Sequence, residues 1–223
     1  MNAPNNQSTI VSAADAREFP PFSLARLLGS VFTPTEGMKV CVLIDLENLH
    51  DVKDFAFLED DSLAVQKKAY EVFYRGLHEG VMETLGMLGG EFYAYHISGG
   101  SNLDLRDEAV QSTGREVSLE KDVYPNYDII LCISTFSATA PLTALAKEHN
   151  FRGATLHGLN DVIIDSGLSV DYGDVSADAE KLRLALTRAD TIEIDFSIED
   201  HGETTCRLDL GGQEAQKSHG LCH

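Results

Sequence analysis

The alternation of apolar and polar positions divides the chain into short, recognisable pieces. Residues 1–18 are rich in Asn, Ser and Ala and read as a disordered tail. After Pro20 and Pro21, the residues Phe22, Leu24, Leu27 and Leu28 fall on one face of a short helix. Met38 to Asp45 is a continuous, β-branched apolar run, the pattern of a strand covered on both faces. Ser62 is placed to cap a long helix from Asp61 to Leu85. Along it Leu63, Ala69, Val72, Phe73, Leu77, Val81 and Leu85 recur near the helical period. The glycines of MLGGEF should end that helix, before a second strand over Glu91 to Ile97. SGGSN then makes a turn, and Leu103 to Ser118 reads as an irregular, charged connection.

The clearest unit lies between Tyr127 and Leu159. Asp128 to Ile133 is a buried strand, with Ile129, Ile130 and Ile133 β-branched. Pro141 suits the first turn of the following helix, which carries Leu142, Leu145 and Ala146 inward. Gly153 introduces another strand that ends near His157, and Asn160 to Leu168 forms a short helix. Strands alternating with helices at this spacing predict an α/β fold. Residues 19–170 would form a parallel, flavodoxin- or Rossmann-like sheet domain. After Val170 the pattern changes. Ser176 to Ala189 is an amphipathic helix, and Thr191–Ile198 and Thr204–Leu210 alternate strictly. Joined through Glu199–Glu203, they predict a half-exposed hairpin. Residues 171–223 thus read as the truncated start of a second, α+β domain with antiparallel strands. Its hairpin should leave an apolar face uncovered, for a homodimer or a further segment to cover.

Charge narrows the list of partners. The 223 residues carry a net charge of −19, from 36 acidic and 17 basic side chains, and this field repels phosphate backbones. Nucleic acid is therefore an unsuitable partner, whereas cations and basic ligands are suited. No apolar run reaches the roughly 20 residues that span a bilayer, and no signal-peptide pattern opens the chain. Cys41, Cys132, Cys206 and Cys222 show no CxxC spacing, and the first two fall in buried strands. A reducing cytoplasm fits this usage.

Two clusters carry candidate chemistry. Asp45, Glu47, Asn48 and His50 follow the first strand, where they would bind a metal, act as acid and base, or simply form a solvated acidic loop. Ser134, Thr135, Phe136 and Ser137, with Thr139, crowd the exit of the strand over Asp128–Ile133. A parallel unit puts its ligand site there, so Ser134 to Ser137 are the candidate substrate-binding residues, although ordinary helix capping would use the same residue types. No catalytic residue is assigned. No P-loop, nucleophile elbow or dinucleotide fingerprint is present. Cys206, His219, Cys222 and His223 are too irregularly spaced for a zinc site.

The stretch DIILCISTFSATAPLTALAKEHNFRGATLHGLNDVIIDSGLSVDY, with the following SADAEKLRLALTRADTIEIDFSIEDHGETTCRLDLGG, resembles the thermophilic-type aminopeptidases (aminopeptidase T, leucyl aminopeptidase-like). The same order of pieces is similar to dihydroxypyridine dioxygenase. The resemblance implies a supporting sheet domain for a divalent metal site of zinc, cobalt or iron, acting on a peptide or small-molecule substrate. It implies that the metal ligands lie outside these residues, so that the 223-residue chain alone would be inactive. The hairpin tip HGETTC departs from the family pattern. A non-catalytic α/β module that binds a small ligand or a partner is the alternative reading.

Overall fold

A computed structural model describes residues 19–198, 202–218 and 220. The expected tail over 1–18, most of the hairpin's connecting turn, and His219, Cys222 and His223 lie outside the described residues. The architecture is α/β, with a six-stranded, mostly parallel sheet and a separate two-stranded antiparallel sheet.

In chain order the elements are α1 (Leu24–Phe32), β1 (Lys39–Leu46), α2 (Ala64–Lys68), α3 (Met82–Leu85), β2 (Leu88–His96), β3 (Glu108–Gln111) and β4 (Glu116–Ser118). There follow β5 (Ile129–Ser134), α4 (Thr139–His149), β6 (Arg152–His157), α5 (Asp161–Asp165), α6 (Tyr172–Arg188), β7 (Thr191–Ile198) and β8 (Gly202–Asp209). The large sheet has the order β4-β3-β2-β1-β5-β6. β2, β1, β5 and β6 run parallel, and the β3–β4 hairpin adds two antiparallel strands outside β2. This hairpin is a correction: residues 103–118 contain strands where the sequence suggested an irregular link. Each strand is only three or four residues long, too short to show a period.

Successive side chains of the central strands serve two cores. Val40, Val42 and Ile44 meet α1, Phe73 and Leu77 on one face. Cys41 and Leu43 meet Tyr93, Tyr124 and Leu142 on the other. This two-sided burial is why β1 and β5 read as unbroken apolar runs. α1 begins at Ser23, whose Oγ accepts from the Arg26 N–H at 3.3 Å, and stops at Thr33 with φ 45°.

Residues 64–85 are helical, but not as the single capped α-helix expected. The Ser62 hydroxyl donates to Asp60 Oδ1 at 2.7 Å, and Leu63 precedes the helix without a side-chain cap. Wide π turns cover Ala69–Tyr74 and Leu77–Val81, and Gly80 has φ 114°. The apolar residues explain it. Ala69, Phe73, Leu77, Val81 and Leu85 are spaced by four, so on a 3.6-residue helix each step drifts by about 40°. Wider turns absorb the drift and keep the residues facing the sheet. The helix ends at Gly86, φ 65°. Gly89 and Gly90, expected to terminate it, belong instead to β2. Val40 pairs with Gly89 and Cys41 with Glu91, so Gly90 is the extra residue of a bulge.

Candidate functional site

In the order β2-β1-β5-β6 the chain leaves β1 for one side and later returns to the other, so the carboxyl ends of β1 and β5 form the topological switch point. Asp45 ends β1 there, with 1% of its surface exposed. Both of its carboxylate oxygens accept from the Thr135 N–H at 2.9 Å. Oδ1 also accepts from Gln66 Nε2 at 2.7 Å and from the Thr135 hydroxyl at 3.2 Å. Burial pushes the Asp45 carboxyl up, and the donors of Thr135 and Gln66 offset only part of that shift. The switch point is thus tied shut by its own side chains.

The four residues proposed for chemistry after β1 separate. Asp45 turns inward, and Glu47 is exposed. Asn48 caps the next turn through His50 N and donates to Asp51 Oδ1 at 2.8 Å. His50 points to Glu116, 3.8 Å away. The turn from Ser134 to Ser137 stays together, but its hydroxyls are engaged. Ser134 is buried and donates to the Phe136 carbonyl at 2.7 Å. Thr135 holds Asp45. Ser137 contacts Asn102 Oδ1 at 3.3 Å and Thr139 Oγ1 at 3.0 Å. Phe136 is half-buried. At the start of α4 the Ala140 N–H donates to Asn102 Oδ1 at 3.0 Å. Sequence reasoning missed Asn102 and Gln66, because both act on residues more than twenty positions away.

The thiols within the core are unsuited to nucleophilic work. Burial pushes Cys132 up to about 12, and Cys41 is raised by the same cause.

Beside the switch point, where β1 and β2 end against β3 and β4, opens a cavity of about 520 Å³. His50, His96, Asp107, Glu108, Glu116 and Asp122 line it over an apolar floor of Leu49, Ala109 and Val110. No lysine or arginine lines it. Two of its carboxylates also hold the wall in shape. Asp107 Oδ1 accepts from the Ser118 hydroxyl at 2.9 Å and the Glu120 N–H at 2.8 Å, and Asp122 Oδ2 accepts from the Ser118 N–H at 2.9 Å. Glu108 and Glu116 are exposed at the rim. Among the described residues no group of three His, Cys, Asp or Glu side chains is arranged to hold one metal ion. The divalent metal implied by the aminopeptidase-type resemblance finds no donor set in them. A second cavity, about 530 Å³, lies over β6 between α1 and Tyr172. Its walls are mainly Leu27, Phe32, Leu131 and Leu156, and Lys217 and Ser218 of the chain's own tail lie against it.

No protein-family model, no curated protein and no solved structure matches the chain. Among the described residues no helix is long and apolar enough to cross a membrane.

Proposed function

We propose that the chain is a non-catalytic α/β binding module whose ligand is a small organic cation bearing two or more ammonium groups. The observation that carries this reading is the cavity's lining of four carboxylates and two imidazoles without a lysine or arginine. A net charge of −19 draws cations to the molecule, and the cavity concentrates that field. Among the described residues no three of these side chains are arranged to hold one metal ion, which favours a ligand with separated charges over a bare ion. Each exposed ammonium–carboxylate contact contributes only about 0.2–1 kcal/mol, so several must act together and binding must weaken in salt. The aminopeptidase-type reading asks the Ser134–Ser137 turn for substrate contacts. There Ser134, Thr135 and Ser137 would first have to give up internal bonds. Rim carboxylates Glu108 and Glu116 are exposed and need give up far less.

Titrating the 15N-labelled protein with spermidine tests the location. Amide shifts should appear at His50, His96, Glu108 and Glu116. Shifts confined to the cleft over β6, or spread evenly over the acidic surface, would contradict the assignment.

A further inference from the structure

Among the described residues two apolar faces stand exposed, and they match each other. On the β7–β8 hairpin, Ile192 pairs with Leu208, Ile194 with Cys206 and Phe196 with Thr204, which sets these residues on one face. Glu193, Asp195, Glu203 and Arg207 take the other. Ile194, Phe196 and Leu208 are 38%, 44% and 46% exposed. Among the described elements the hairpin's extensive contacts are between its own two strands. An isolated two-stranded hairpin is marginal in water, so it gains most from a cover.

The second face is on α6. Val175, Ala179, Leu182 and Leu186 follow the i, i+4, i+7, i+11 stripe, yet Leu182 is 60% exposed. The adjoining polar side of the helix is occupied by the chain's tail. Lys217 Nζ meets Glu180 at 3.1 Å, Arg183 meets Glu214 at 3.1 Å, and the Ala215 N–H donates to Thr187 Oγ1 at 3.1 Å. The tail thus fixes the helix while leaving Val175 and Leu182 of the stripe exposed and Ala179 and Leu186 half-buried.

We propose that a second copy of this chain covers both faces, α6 of each copy lying across the β7–β8 hairpin of the other. Three features favour a second copy. The faces are alike in length: α6 has 17 residues, about 25 Å, and each strand has eight, about 27 Å. One chain carries both halves of the contact, which is the condition for a two-fold, self-complementary interface. The area is sufficient too. Footprints of roughly 25 by 10 Å on each face, used twice, bury about 1,000 Å², the lower bound for a specific interface. Each copy carries −19, so long-range repulsion opposes the apolar contact and salt should strengthen it.

Sedimentation of the full chain across concentration and salt tests the proposal. A dimer is expected, tighter near ~1 M than near ~0.05 M sodium chloride. Leu182→Glu and Phe196→Glu should each weaken it about thirtyfold or more, the size of a hot-spot loss. Both positions are exposed in the single chain, so the circular dichroism of each variant should match that of the wild type diluted to monomer. For the pairing itself, a Leu182→Cys, Cys206→Ser, Cys222→Ser copy is mixed with a Cys222→Ser copy and oxidised. A disulfide between the introduced thiol and Cys206 supports the reciprocal contact. A monomer at about 100 µM in high salt overturns it. So does a dimer indifferent to both substitutions, an association that salt weakens, or a cross-link formed only between two Cys206 thiols.

Discussion

Asp45 shows how a single residue can sit at the expected place and do a different job. It ends the central strand, where a catalytic or metal-binding carboxylate would stand, but its oxygens are taken by Thr135 and Gln66. Its raised pKa makes a signed prediction. The group is easier to protonate in the folded chain than in the unfolded one, where a value near 3.9 applies. Its contribution to stability is full below that unfolded value and is lost as pH rises through the folded one. Relative to Asp45→Asn, the wild-type chain should therefore lose stability as pH rises above the unfolded carboxylate value of about 4. Urea denaturation across that range measures the difference, and a gap moving in favour of the wild type as pH rises would contradict the account. The strand-end acid was legible in the sequence. Its partner was not, because Thr135 lies 90 residues further on and only the parallel register of β1 and β5 brings it alongside.

At the scale of elements, the glycines of β2 and the tail on α6 each carry a prediction. Gly89 has φ 90°, and a Cβ there would lie 2.7 Å from the Val40 carbonyl oxygen. Backbone strain and backbone contact act together, so Gly89→Ala should cost about 2–4 kcal/mol in urea unfolding. A loss below about 0.5 kcal/mol would mean that the bulge relaxes freely. On α6, the side chains of Arg183 and Lys217 hold the Glu180 carboxyl low, at about 2. Its contribution is present above the unfolded carboxylate value and is lost as pH falls through about 2. Glu180→Gln should raise hydrogen exchange at Glu214–Lys217 near neutral pH and leave β1 and β5 unchanged. β1 and β5 were legible because burial on both faces leaves long apolar runs. β3 and β4 were hidden by brevity. The helix over 64–85 was visible, but its π turns were not, since four-residue spacing looks helical until the drift is added up.

For the whole molecule, the sheet domain and the separate hairpin follow from the change of pattern near Val170, which the sequence displays openly. The cavity does not, because its lining is drawn from five segments between Leu49 and Asp122 that only the assembled sheet places together. The Ser134–Ser137 turn and the charge pattern were each visible, but not that the carboxylates would gather beside β3 and β4 instead of at the turn. The strong negative charge then serves the cavity and opposes association of two copies, so salt should act on the two in opposite directions. The most direct test is calorimetric titration of spermidine into the wild-type chain and into a Glu108→Gln/Glu116→Gln variant. The wild type should bind at low salt with a Kd of about 1 mM or weaker, and the variant about two- to thirtyfold more weakly with its melting temperature unchanged. Equal affinity for both proteins, or no heat from either, would contradict the assignment of a cation site to this cavity.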